Sequence, residues 1–315
     1  MPSAIGADVL TSISRHHIMP DIVDNVYRSN ALFYRMNQSN RKITGGTHIE
    51  VPIMYSRFSA GGPYAGWDTL TVTPSDTVRN ARFDWKQQYV PIVVDGLTLI
   101  KADSPEAVAN LLRLQFQQAE EEMCENLGTG IHSDGSTDPK QITGLQLAVD
   151  AAGTYGQLDR STYTWWAAYG DSTTTILSLP FLQSLHGSAS EGGRHPTIIV
   201  SQQANYNRYW NMGIGSQVQD IGPAGKDEQL FAAGFTNMLF NGVPWVVDSK
   251  VVNSTTIYML NENYLFNVVT PRADFLLEDF QTPINQDAMV AKLLWAGELV
   301  CTNPARQAKA TLIAA

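Results

Sequence analysis

Thr47-His48-Ile49-Glu50-Val51-Pro52-Ile53-Met54-Tyr55 alternates polar and apolar residues, the pattern of a half-buried strand. A second limb, Ala81-Arg82-Phe83-Asp84-Trp85-Lys86-Gln87-Gln88-Tyr89-Val90-Pro91-Ile92-Val93-Val94, alternates the same way and then turns continuously apolar. Between them lies a tip rich in Gly, Pro and Thr, with Gly61-Gly62-Pro63-Tyr64-Ala65-Gly66-Trp67 at its centre. Such a hairpin has little core of its own, and an isolated two-stranded ribbon is marginal in water. It therefore needs a surface to lie on, and a second copy of the chain is the simplest supplier. Assembly, rather than catalysis, is the leading expectation.

A long helix follows at once. Asp103 or Ser104 supplies a cap, Pro105 fits the first turn, and Glu106 suits the positive end of the helix dipole. Val108, Leu112, Phe116, Ala119, Met123 and Leu127 recur every three or four residues as one apolar stripe. Gly128 is read as the stop. Roughly 24 residues make a rod of about 36 Å. Glu120, Glu121 and Glu122 fall near its C-terminal end, where the dipole disfavours acid. Either a basic partner offsets that cost or the acids form a solvated face.

Upstream, Pro20 to Tyr27 and Ala31 to Met36 have helical spacing and Asn37-Gln38-Ser39-Asn40 breaks it. Downstream, helices are predicted at Leu179–Ser188 and Gln202–Trp210, and a short buried strand at Thr197–Val200. Asn241-Gly242 joins two strands, the strongest short hairpin signal. Thr256–Leu260 and Tyr264–Val269 are further strands, and Asp287–Thr302 and Gln307–Ile313 would return to a sheet beside the long helix.

Of the 315 residues, 43% are hydrophobic, enough for a core, but only 16% are charged, well below the usual quarter. Residues up to Ala102 hold ten Lys/Arg against eight Asp/Glu; the rest hold 11 against 22. A mildly basic N-terminal part can dock on the acidic body of another copy, or the asymmetry is ordinary variation along a chain. A net charge of −9 argues against strong nucleic-acid binding. The N-terminus lacks a secretory signal and no stretch reaches a membrane span, so a soluble cytoplasmic product is expected. Cys124 and Cys301 are read as buried and reduced.

No Walker loop, dinucleotide fingerprint or Gly-x-Ser-x-Gly elbow occurs. The six histidines form no zinc pattern. Asp134-Gly135-Ser136-Thr137-Asp138 is an incomplete calcium loop and reads as a turn. The acidic pairs Glu278-Asp279 and Asp227-Glu228, with Trp165-Trp166, would suit a sugar hydrolase, though adjacent carboxylates point apart and paired tryptophans belong to cores and interfaces. No catalytic residue, metal or cofactor is assigned.

The order of elements resembles the major capsid proteins of tailed bacteriophages, with the Hong Kong 97-type fold. Tyr89-Val90-Pro91-Ile92-Val93-Val94-Asp95-Gly96, Gly153 to Ser161 before Trp165-Trp166, and Phe240 to Asp248 look like stretches seen in such proteins. The resemblance implies an α+β chain. Its arm would span 1–45, its extended loop 46–95, its peripheral domain 96–174 and 263–315 with a spine helix at 103–128, and its axial domain 175–262. It also implies a non-enzymatic virion shell protein, made in the host cytoplasm, that forms hexamers and pentamers around double-stranded DNA without sequence-specific binding. Portal, cement and scaffold proteins are the partners it allows; the short arm implies a separate scaffold or none. Intersubunit contacts are expected at Tyr64, Trp67, Phe83, Glu120 and Glu121. Some relatives cross-link through Lys and Asn; Lys86 lies in the loop, but a complete set of partners cannot be matched. An encapsulin-like compartment and a soluble carbohydrate hydrolase remain the alternatives.

Overall fold

The computed structural model describes residues 30–37, 40–58, 61–70, 73–101, 105–136, 138–212, 238–285 and 287–312. The helix expected at Pro20–Tyr27 and the caps expected at Asp103 and Ser104 lie outside these residues.

In chain order the N-terminal half comprises helix α1 (Ala31–Asn37), strands β1 (Arg41–Lys42), β2 (His48–Met54), β3 (Val78–Asp84) and β4 (Lys86–Asp95), helix α2 (Gly96–Lys101) and the long helix α3 (Pro105–His132). Helix α4 (Leu145–Ala148), strands β5 (Thr154–Tyr155), β6 (Leu158–Asp159) and β7 (Tyr169–Thr175), helix α5 (Leu179–Ser188), strand β8 (Ile198–Ser201) and helix α6 (Gln203–Asn211) follow. Strands β9 (Met238–Phe240), β10 (Val243–Val247), β11 (Thr256–Leu260), β12 (Leu265–Val269), β13 (Leu276–Leu277), β14 (Ala288–Cys301) and β15 (Ala308–Leu312) come next, with a short 3-10 turn at Pro304–Arg306.

Two larger sheets organise the chain. In the five-stranded sheet β14 is central, pairing with β12, β13 and β4, and β1 adds beside β12. The apolar stripe of α3 covers β4, and Val108, Leu112, Phe116, Ala119, Met123 and Leu127 are all buried. The other sheet has the order β7-β15-β11-β8-β10-β9. Its strands β8 and β11 are buried along their whole length, which explains why they read as continuous apolar runs. Asn241 and Gly242 both adopt positive φ, 51° and 77°, between β9 and β10, as a tight primed turn requires.

Three boundaries differ from the sequence reading. The long helix does not stop at Gly128 but runs on through Ile131, which is buried, to His132. Gly128 is there for contact: a Cβ would stand 2.5 Å from Asn30 Nδ2. The second limb is not one strand. It breaks at Trp85, so that β3 pairs with β2 while β4 pairs with β14. The C-terminal strand β15 does not return beside the long helix; it lies between β7 and β11 in the six-stranded sheet. Tyr169–Thr175, for which no strand was foreseen, is its other partner. Alternation showed that these segments were strands, but it does not encode a partner.

The end of α3 is locked to the six-stranded sheet. His132 Nε2 lies 3.1 Å from Asp248 Oδ2, both side chains are buried, and Glu125 pairs with Lys250. Burial pushes the Asp248 carboxyl up, but the hydrogen bond and charge of His132 and the Lys250 N–H outweigh it, leaving Asp248 below its ordinary value. On the other side, Arg35 of α1 holds Glu262, between β11 and β12, through two hydrogen bonds of 2.6 and 2.8 Å.

Candidate assembly surface

The projecting hairpin is a continuous ladder from His48–Asp84 to Met54–Val78. Its base is clamped to its own subunit. Ile49, Ala81 and Phe83 are buried, the Phe83 ring meets Tyr155 edge-on at 5.1 Å, and Arg82 N donates to Gly156 O at 3.0 Å. Gly156 must be glycine here: its φ is +59° and a Cβ would stand 2.9 Å from the Phe83 ring. Farther out, Tyr55 stacks on Trp165 at 5.1 Å and its hydroxyl donates to Asp76 O. Cross-strand pairs His48–Asp84 and Glu50–Arg82, each at 2.9 Å, brace the ribbon.

Beyond that base the hairpin leaves its apolar side chains in water. Met54, Phe58, Tyr64 and Leu70 are exposed, and Trp67 is 101% exposed. A turn presents the indole: Ala65 N donates to Asp68 Oδ2 at 2.7 Å and Asp68 N to Ala65 O at 2.9 Å. Because Trp67 touches nothing in its own subunit, Trp67→Ser is expected to change the unfolding free energy of the isolated chain by less than about 0.5 kcal/mol. Urea melts of unassembled protein measure this, and a larger loss would mean that the indole packs at home.

Of the five residues singled out in the sequence, Tyr64 and Trp67 both lie exposed at the tip. Phe83 does not join them. It pairs with Ile49 in the ladder, and at 5% exposure it is a core residue of its own subunit. Glu120 and Glu121 lie on α3, Glu120 buried and Glu121 exposed.

A second surface was missed in the sequence. The face of β4 that carries Tyr89, Pro91 and Val93 is exposed, and in register across the sheet Tyr89 pairs with Leu294 and Leu294 with Leu276. Tyr89 is 65% and Leu276 39% exposed. Along this row opens a recess of about 450 Å³, lined by residues that include Gln87, Tyr89, Ala273, Lys292, Leu294 and Trp295. The signal was the alternation within Lys86–Asp95, which marks one face of β4 as outward, but nothing in it said that the outward face stays open.

Where the loop after α3 crosses β14, Glu298 is buried. Its Oε1 accepts from Thr143 N at 2.8 Å and from Leu299 N at 3.1 Å. Burial pushes this carboxyl up to about 8, against the pull of the Thr143 N–H, the Lys86 charge and the Leu299 N–H. The folded chain therefore keeps a proton that the unfolded chain releases near the ordinary carboxylate value. Stability from this group is full in acid and falls as pH rises toward about 8. Urea melts should show a loss on the order of a few kcal/mol between pH 5 and pH 8. Glu298→Gln, which keeps both acceptor contacts, should flatten that slope.

The features that had suggested chemistry are otherwise engaged. Trp166 is buried and donates to Tyr155 O, and Trp165 packs on Tyr55. Glu278 lies 3.8 Å from Lys292; Asp227 and Glu228 lie outside the described residues. Asp134 accepts from Ser136 in an ordinary turn. Among the described residues no group of three His, Cys, Asp or Glu could hold a metal ion, and no helix is long and apolar enough to cross a membrane.

A long helix against a five-stranded sheet, a second mixed sheet and a projecting ribbon together define the Hong Kong 97-type capsid fold. Among solved structures, the chain is similar to the cyanophage A-1(L) capsid asymmetric unit at 16% identity and a TM-score of 0.70, over 91% of this chain and 92% of that one. It is similar to the holo-SrpI encapsulin complex of Synechococcus elongatus at 11% identity and a TM-score of 0.59, over 89% and 86%. It also resembles the virus-like particle from Pyrococcus furiosus at 12% identity and a TM-score of 0.52, over 93% and 97%. No protein-family model matches the sequence, and no curated protein matches it.

Proposed function

We propose that this chain is the major shell protein of a tailed phage, assembling as hexamers and pentamers into an icosahedral capsid around double-stranded DNA. The observation that carries this reading is the loop tip: beyond the paired ribbon Trp67, Tyr64, Phe58 and Leu70 lie in water, and exposing that much apolar surface is unfavourable unless a partner covers it. The tip of one copy lies across its neighbour, and repetition around a closed ring makes weak contacts cooperative. The division into arm, extended loop, peripheral and axial domains follows this reading, with β7 and β15 assigned to the axial sheet. The low positive charge suits a container whose wall does not grip phosphate. Shell partners such as scaffold, portal and cement proteins would complete the particle.

A second reading, a compartment that encloses protein cargo, draws support from the likeness to the encapsulin complex. Light scattering with negative-stain electron microscopy on the purified chain tests both. Closed particles or rings of five or six subunits are expected. Virus-sized shells would favour the capsid and small shells the compartment, while a stable monomer, even with phage scaffold supplied, would refute both.

A further inference from the structure

We infer that the paired imidazoles of His186 and His195 are an acid-sensitive latch, which holds segment 189–196 in place at neutral pH and releases it as the pair takes up protons. The inference does not depend on the shell reading.

Two elements build the pair. His186 lies in the last turn of α5, a helix with no other charged residue, and His195 lies on the segment that leads from α5 to β8. The two rings stack, with centroids 5.6 Å and planes 16° apart. His186 is 9% exposed, and its Nε2 is buried with no hydrogen-bond partner among the described residues. The ring also meets Phe240 edge-on at 6.3 Å, and Phe240 belongs to an apolar cluster with Leu182, Leu185, Tyr209 and Trp245. A proton on His186 therefore brings charge to the wall of an apolar cluster, beside a second imidazole whose own charge repels it.

The surrounding charges do not relieve that cost. Glu191, on the segment itself, pairs with Arg306, and Glu262 is held by Arg35. Arg194 donates to the Tyr264 hydroxyl and Arg208 of α6 to Asn205; both are cations and attract no proton. The C-terminal end of a helix favours a cation, yet burial first, and the His195 charge second, push the His186 imidazole below its ordinary value. An open latch thus takes up a proton that the closed latch resists. Closure is full at neutral pH and is lost as pH falls below the ordinary His value of 6.5.

What the latch holds gives it reach. Through segment 189–196, Glu191 ties to Arg306 in the turn before β15, Arg194 ties to Tyr264 before β12, and His195 O accepts from Asn261 Nδ2 at 2.8 Å. Opening slackens the turn that leads into β15, the strand between β7 and β11.

Hydrogen exchange on the full, unassembled chain tests the latch. The amides of Ala189, Ser190, Glu191 and Arg194 donate to Leu185 O, Gly187 O, Arg194 O and Glu191 O. After correction for the intrinsic pH dependence of exchange, their protection should fall by about three- to tenfold from pH 7.5 to pH 5.5, tenfold being the limit for one linked proton over this range. The amides of β8 should hold. This window lies above ordinary carboxylate values, and Glu298, which acts in the opposite direction, is common to every variant. His186→Phe, which keeps a ring against Phe240, should keep its protection throughout. His195→Phe, which keeps the stack and removes the second charge, should lose less than the wild type, and it decides alone if His186→Phe does not fold. A wild-type fall below about twofold, or a fall that both substitutions leave unchanged, would overturn the latch.

Discussion

Arg35→Ala is expected to lower the unfolding free energy of the isolated subunit by about 3–5 kcal/mol, the cost of leaving one partner of a buried ion pair alone. The Arg35 and Glu262 side chains are 6% and 8% exposed, and the guanidinium meets both carboxylate oxygens. The Thr197 hydroxyl donates to Glu262 Oε2 at 2.8 Å and accepts from Glu262 N at 3.0 Å. Removing Arg35 would leave the carboxylate with that hydroxyl and little water. It would also release α1, whose Leu32, Phe33 and Met36 are buried and which packs beside β12 and β10. Arg35→Met/Glu262→Met, which removes both charges and keeps apolar volume, should recover most of the loss. Urea unfolding of the three variants at pH 7 decides it. A single-variant loss below about 1 kcal/mol, the range of an exposed pair, would mean that the pair does not hold α1 in place.

Deleting residues 58–77 should abolish shell assembly while leaving a folded subunit. Tyr55, Ser56 and Arg57 would then bridge the last pair of the ladder, Met54–Val78, and a three-residue connection is common in hairpins. Everything that clamps the hairpin base, from Phe83 to the Arg82–Gly156 bond, remains. What is lost is Phe58, Tyr64, Trp67 and Leu70, all exposed within the subunit. Circular dichroism should therefore show a native-like fold, and light scattering a monomer or small oligomer at concentrations where the intact chain closes. Normal particles from the deleted chain would remove the loop from the assembly mechanism.

How much of this was legible in sequence can be judged residue by residue. The stripe from Val108 to Leu127 named the buried face of α3, because a helix turns its side chains with a fixed period. The Asn241-Gly242 turn was equally plain, since few residue pairs accept positive φ twice. Gly128 misled because glycine has two uses, ending a helix and admitting a close neighbour, and only the position of Asn30 distinguishes them. Phe83 misled because alternation gives two faces but not which of them is covered. Tyr64 and Trp67 could be proposed from the absence of any core around them. The recess beside Tyr89 could not, because it is made by β4, β14 and the segment at Ala273, which meet only through long-range pairing.

The place of β15 sets a clock on synthesis. Strands β7 and β11 do not touch each other in the six-stranded sheet; β15 lies between them. Both are translated first and must wait with open edges until Ala308–Leu312 has left the ribosome. A half-made subunit therefore lacks an interior strand of one sheet. Open strand edges invite pairing with other chains, so the last strand to be made is the one that closes both of these.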